Sequence, residues 1–336
     1  MTRYFLGGDI GSSKTHVLIA DEGGQAVGFG QSGAGNHETV GYEGLQHELG
    51  VAATQALAMA RLAKDQIAGA GFGVAGFDWP SEKEPTLRAI GTLELTAPAE
   101  AVNDALLGLL AGSAEGWGIA VVSGTGCNCW GWDRHRRRTG QVTGASLLMG
   151  EAAGGTELIA KAVHAVAYEW TRRGPATQLT PALVRYFGAR DVVDFLQGVT
   201  EGRIDLDSAA APLVFQAAAA GDPVANDLIL WAGHELGQLA VGVIRQLEFE
   251  ALDFDAVLVG SMFNGGSPLI EPMRATIHTI APGARPVRLD APPVVGAVLL
   301  GMEQAHVDTA PLREPLVRST KRLLNEAHGP PLRNLS

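Results

Sequence analysis

Cysteine is nearly missing from this 336-residue chain, which has only Cys127 and Cys129, one residue apart. That spacing is too close for an ordinary disulfide, and two cysteines are too few for a stapled secreted scaffold, so a reducing cytoplasm is the expected compartment. Aromatic residues are sparse, and no stretch approaches the ~18 uninterrupted apolar residues of a membrane-spanning helix. The start, MTRYFLGGDIG, meets glycine and aspartate before a signal-peptide apolar region can develop, so neither export nor membrane association is expected. Basic charge is short as well, with 25 Lys and Arg against 36 Asp and Glu and a formal net charge of -11. Such a chain repels nucleic acid and anionic membranes, and any phosphate-bearing ligand must be held by local geometry.

What is abundant is small and apolar. Hydrophobic residues reach 46%, charged residues only 18%, and glycine numbers 44, a composition that excludes disorder and fits a folded enzyme long enough for two domains. Residues 3–21, RYFLGGDIGSSKTHVLIAD, read as strand, tight Gly/Ser turn and strand, with a third short strand at 26–29. Helical periodicity follows from about Gly44 to Lys64, then a buried strand over 67–77 and a turn before a helix at VNDALLGLLAG. The strand-turn-strand pattern returns from Gly118 to Trp132 around SGTG, which suggests internal duplication. Ala/Leu/Val runs at 157–168, 180–198, 208–219 and 223–248 predict a helical block, followed by the strand FDAVLVG, a turn, a helix, and a terminal helix in APPVVGAVLLGMEQA. Beyond Val307 lies a polar tail whose weakly amphipathic stretch, Leu312 to Leu324, is expected to pack or to mediate a dimer contact.

The first turn, GDIGSSKT from Gly8, nearly matches a P-loop, but Ser13 replaces the final glycine and a strand rather than a helix follows. A hairpin carrying Asp9, Gly11, Ser12, Ser13, Lys14 and Thr15 makes a different phosphate device, in which turn amides and hydroxyls hold the phosphates while Asp9 orients Mg²⁺ directly or through water. Ser123, Gly124, Thr125 and Gly126 form a second such turn, and the pair predicts a nucleotide clamped between two lobes. Other motifs reduce to structure. Gly71 to Gly76 fits GxGxxG, yet FDWPSEKEP after it does not open the helix that a dinucleotide site needs. His234 lacks the second histidine of a zinc-protease helix, Arg134 to Arg138 reads as a solvated hairpin tip, and the cysteine pair sits in a phosphate hairpin rather than near a helix end.

These motifs together resemble the N-acetylglucosamine kinase-like, BadF/BcrA-type ATPases of the actin and sugar-kinase superfamily. The likeness covers roughly residues 3–305 and rests on GGDIGSSKT, Asn36 in GAGNH, GVAGFD at 73–78, VNDA at 102–105, SGTGCNC at 123–129, RGPATQLT at 173–180, VLVGSMF at 257–263 and PPVVGA at 292–297. It implies an α/β fold of two actin-like (ribonuclease H-like) lobes, each a mixed sheet with flanking helices. The lobes are expected over 1–105 and 106–290, the second carrying the helical block, with a terminal helix at 291–306 packing back on the first lobe and a tail at 307–336. It further implies ATP and Mg²⁺ as cofactors, an amino sugar (N-acetylglucosamine or glucosamine) as substrate, a homodimer, and Asp104 as the base that takes the sugar hydroxyl proton.

By the same likeness Gly260 and Ser261 form the adenosine-side turn. Asn36, Gly76, Asp78, Asn103, Asp104, Cys127, Asn128, Gly144, Ala145, Ser146 and Glu151 line the sugar site. The chain departs from the family at 144–155, where relatives carry G-W-G and then G-D-E-G-S, while Ala145, Ser146, Glu151 and Ala152 stand here. A changed substrate contact is the expected consequence. The resemblance leaves two rivals: an ATPase coupled to another process, as in the dehydratase activases, and a non-catalytic sugar sensor.

Overall fold

The first strands, YFLGGDI and THVLIAD, are apolar on both faces, so each must be covered twice. The computed structural model, which describes residues 2–145 and 148–328, shows how. The described chain divides into two compact units, one running to Gly118 and resuming at Leu289, the other spanning Ile119–Arg288.

In the first unit β1 (Tyr4–Ile10), β2 (Thr15–Asp21), β3 (Ala26–Ser32), β4 (Ile67–Val74) and β5 (Ala99–Asn103) form one sheet in the order β3-β2-β1-β4-β5. The β1–β2 and β2–β3 pairs are antiparallel, while β1–β4 and β4–β5 are parallel. One face buries Leu6, Val17, Ile19, Phe72 and Val74 against α1 (His37–Ala60) and α2 (Lys83–Gly91). The other buries Phe5, Leu18, Ala20 and Phe29 against α10 (Val294–Gln304) and Leu316 of α11 (Arg313–His328).

Two glycines let helices lie directly on the strands. A Cβ at Gly30 would sit 2.0 Å from the Ala52 carbonyl oxygen of α1, and one at Gly71 would sit 2.3 Å from that of Ala297 in α10. The GxGxxG match at 71–76 is thus a strand made thin for helix packing. α3 (Asp104–Gly112) packs with α10, which carries the unit past Asn103 to Gly118.

The second unit has β6 (Gly118–Ser123), β7 (Cys127–Trp132), β8 (Thr139–Val142), β9 (Phe254–Val259) and β10 (Ala284–Arg288) in the order β10-β9-β6-β7-β8. Its long helix α8 (Pro223–Leu247) packs on β7, β8 and α9 (Ser267–His278). The block before it holds α4 (Gly155–Trp170), α5 (Leu179–Tyr186), α6 (Val192–Thr200) and α7 (Pro212–Ala219). The expected run at 180–198 is broken, because Gly188 takes φ +68° and Asp191 caps a new helix through the Asp194 amide. The 173–180 motif proves to be a fastening. Thr177 Oγ1 donates to Asp222 Oδ2 at 2.8 Å, and Asp222 Oδ1 caps α8 by accepting the Ala225 amide at 2.9 Å.

Other differences from the sequence reading are local. α1 begins at His37 rather than near Gly44, because Asn36 caps it and Gly41, at φ +69°, absorbs a kink. The tail stretch is a helix of the first unit. Ser319 Oγ accepts the Ala26 amide at 3.0 Å and donates to the Gly24 carbonyl at 2.8 Å, while Arg313 Nη1 donates to Ala111 O at the end of α3 at 3.2 Å. Among the described residues no helix is long and apolar enough to cross a membrane. Because Leu316 is fully buried, Leu316→Ala should cost about 2–4 kcal/mol in urea denaturation, whereas a loss below about 0.5 kcal/mol would mean that α11 is only loosely attached.

Candidate active site

Strand register sets the chemistry of the first unit. Asp9 near the end of β1 pairs with Gly73 of β4, and Val74 pairs with Asn103, the last residue of β5, directly before Asp104. Two carboxylates therefore stand at the carboxyl ends of β1 and β5, parallel strands on either side of β4, where open α/β sheets bind ligands. Burial raises the Asp9 pKa to about 7, the Asp104 charge adds to the rise, and Lys14 opposes it. Burial also raises Asp104, to about 6, while the amides of Ala105 and of Asp104 itself pull it back. Such a pair suits a proton acceptor beside a cation.

The turn between β1 and β2 closes with the Gly11 amide on the Lys14 carbonyl at 3.0 Å and exposes Ser12, Ser13 and Lys14. Thr15, expected among the phosphate ligands, is fully buried, and its Oγ1 has no hydrogen-bond partner among the described residues. Asn36, expected at the sugar, is buried and internally engaged: Oδ1 accepts the Glu38 amide at 2.9 Å, and Nδ2 donates to Ser12 Oγ at 3.1 Å and to Glu38 Oε2 at 3.4 Å. Gly76, at φ +77°, lies against Asn36 and Glu38. Asn103 Nδ2 donates to Asp78 Oδ1 at 2.9 Å, and its Oδ1 caps α3 at the Ala105 amide at 3.0 Å. The first unit thus gathers Asp9, Ser12, Asn36, Gly76, Asp78, Asn103 and Asp104 into one neighbourhood. It adds Glu38 and Glu82, which the motif reading missed; the Pro80-Ser-Glu82 sequence after Trp79 is a capping pattern that could have flagged Glu82.

The second turn belongs to the second unit. Its Gly124 amide bonds the Gly126 carbonyl at 2.9 Å, and the start of α4 docks on it, Gly155 N to Gly124 O at 2.8 Å and Thr156 N to Thr125 O at 3.0 Å. Ser123 is buried and donates its hydroxyl to Ala153 O at 2.7 Å. Gly260, at φ +114°, leaves room for the Ser123 carbonyl, which a Cβ would approach to 2.2 Å. Gly124, Thr125 and Ser261 line a cavity of about 540 Å³ with Ser208, Phe215 and Asn264. Its uncharged rim fits a nucleoside, and its helical-block residues carried no motif by which the sequence could announce them.

Beside this turn, Asn128 presents a buried Oδ1 with no partner among the described residues. Glu151, buried, spends Oε2 on the amides of Gly144 at 2.6 Å and Ala145 at 2.8 Å and on Thr143 Oγ1 at 3.3 Å, so it shapes the 143–145 loop. Ser146 lies outside the described residues. Burial, then the nearby Glu157, pushes the Cys127 thiol up to about 12, and burial, then Cys127, pushes Cys129 up as well, so both are held protonated. Arg138 bonds Leu247 O at 2.8 Å and pairs with Glu248, securing the β7–β8 tip to the end of α8.

Asp9, next to Asp104 and an exposed run of hydroxyls, fits a hard divalent cation such as Mg²⁺. Among the described residues no group of three or more His, Cys, Asp and Glu is placed to hold a metal.

The pair also makes a stability prediction. Because the folded pKa of Asp9 (about 7) exceeds the ordinary carboxyl value of 3.8, the folded chain binds the extra proton between those values, and that stability is lost as pH rises through 7. In metal- and nucleotide-free buffer, Asp9→Asn should stabilise the protein at pH 8 by roughly 1–3 kcal/mol and far less at pH 5. Thermal unfolding at both values checks this, and equal effects at the two would contradict it.

A curated N-acetylmuramic acid/N-acetylglucosamine kinase of Clostridium acetobutylicum is 23% identical over 307 residues, 90% of this chain and 99% of the relative. An N-acetyl-D-glucosamine kinase of Dictyostelium discoideum is 23% identical over 313 residues, 89% and 97%. A crystal structure from Chromobacterium violaceum, described as that of a candidate N-acetylglucosamine kinase, matches with a TM-score of 0.62 at 22% identity over 89% of this chain and 98% of its own. The fold is that of the actin-like ATPases, two units each with a mixed five-stranded sheet and flanking helices. The model of the BadF/BadG/BcrA/BcrD ATPase family matches residues 6–301, a span from β1 through most of α10 that contains both glycine-rich turns, and the chain belongs to that family.

Proposed function

We propose that this chain is an ATP-dependent sugar kinase acting on an amino sugar, N-acetylglucosamine or glucosamine. The observation that carries the reading is Asp104: a carboxylate at the first turn of α3, beside Asp9, with its pKa raised to about 6. A base in that range is ionised at neutral pH and still accepts a proton well. The names of the two curated relatives supply the sugar class.

In the proposed reaction a sugar hydroxyl oxygen attacks the γ-phosphorus of ATP, its proton passes to Asp104, and the bond to the β-phosphate bridging oxygen breaks to release ADP. Ser12, Ser13 and Lys14 in the exposed first turn bind phosphate oxygens, as do the amides of Gly124 to Gly126 in the second turn. The nucleoside occupies the cavity lined by Phe215 and Ser261. Mg²⁺, held by Asp9, would neutralise charge on the phosphates. Asn128, whose Oδ1 has no partner among the described residues, accepts from a sugar hydroxyl, and the 143–145 loop held by Glu151 shapes the sugar's surroundings. Cys127 and Cys129 lie buried within β7 rather than near a helix end, which weighs against cluster chemistry of the activase kind.

ADP release with Mg·ATP, measured against N-acetylglucosamine, glucosamine, N-acetylmannosamine, N-acetylmuramic acid and glucose, should be stimulated by an amino sugar that gains one phosphate by mass. Asp104→Ala should lower kcat by about 10²–10⁴-fold or more with nucleotide affinity preserved. ADP without a phosphorylated sugar, or a variant with near-normal kcat, contradicts the proposal.

A further inference from the structure

We infer that Glu82 is a positioning residue for Asp104, acting through Asp78 and Asn103, an inference that rests on the kinase reading above. Glu82 closes the loop after β4. Its Oε2 accepts the amides of both Asp78 and Trp79, each at 2.8 Å, which fixes the backbone where the Asp78 side chain departs. Its Oε1 lies 3.7 Å from His37 Nε2, and the His37 ring stacks on Tyr42 with centroids 4.6 Å apart, so the carboxylate is held from the α1 side too.

The chain continues to the base. Asp78 Oδ1 accepts one N–H of the Asn103 amide at 2.9 Å, and Phe77 O accepts from the same nitrogen at 3.3 Å. With both hydrogens of Nδ2 committed, the amide has one orientation, and its Oδ1 must face α3. There it accepts the Ala105 amide at 3.0 Å and fixes the first turn of the helix that carries Asp104. Asn103, which the resemblance assigned to the sugar, is thereby spent on aiming its neighbour. A shift of about an ångström in that first turn is enough to spoil in-line geometry. The plain alternative is that Glu82 only caps the short turn at Pro80–Glu82 and lends stability.

The two readings separate on steady-state kinetics of the full-length protein with Mg·ATP and whichever sugar of the panel it phosphorylates. Glu82→Ala should lower kcat about 10–100-fold while the KM for ATP stays within about twofold. Glu82→Gln, whose amide oxygen still accepts both backbone N–H groups, should recover most of kcat. Asn103→Ala should lower kcat likewise, and the double variant should be no slower than the slower single, because both act on one contact. A Glu82→Ala enzyme with kcat within about twofold of wild type, or losses that multiply in the double variant, overturns the inference. Should Glu82→Ala not fold, Glu82→Asp draws the carboxylate back by one methylene and serves the same readout: reduced kcat at constant KM for ATP supports the inference, and unchanged kcat overturns it. A wild-type protein that phosphorylates no sugar overturns the kinase reading itself, before any variant is compared.

Discussion

The feature on which the first unit depends is the placement of two half-buried carboxylates, Asp9 and Asp104, within reach of each other's charge. Burial of one carboxylate is costly, and a second nearby raises the cost. Parallel pairing of β1, β4 and β5 imposes the arrangement, and cores on both sheet faces hold it, one under α1 and α2 and the other under α10 and α11. Strain of this kind belongs where ligands and cations bind, since they supply the missing charge balance.

The second unit solves a gentler problem. Its turn at 124–126 is docked on the start of α4, and the adjoining cavity is lined by uncharged groups. Much of its polar sequence works at fastening. Asp222 ties α8 to Thr177, Glu151 shapes the loop at 143–145, and Ser123 bonds a carbonyl. Asn36 and Asn103 behave alike in the first unit, each an N-cap whose amide is spent internally. A residue that a motif marks as close to a ligand thus often serves by shaping the chain that touches it.

Local chemistry explains what could be read in advance. Both hairpins, the strand FDAVLVG and the helix at 294–304 were legible because turn glycines and apolar runs encode them within a few residues. α2, β8 and β10 went unread because they are short and polar, and only their neighbours in space make them regular. The start of α1 was hidden by Gly41, and the split between α5 and α6 by a continuous apolar pattern. Of the site, Asp9 and the turns could be named from spacing, and Asp104 from the family resemblance. The burial of Thr15, the bonds that engage Ser123, Asn36 and Asn103, and the participation of Ser208, Phe215 and Asn264 depend on tertiary contacts that no spacing encodes.

The most direct measurement of the central claim is a single turnover with enzyme in excess over ATP labelled at the γ-phosphate, in the presence of Mg²⁺ and an amino sugar. The account predicts that the label moves to the sugar at the rate at which ADP forms, and that Asp104→Asn abolishes that transfer while ATP remains bound. Label recovered as inorganic phosphate, or transfer that survives the substitution, would contradict it.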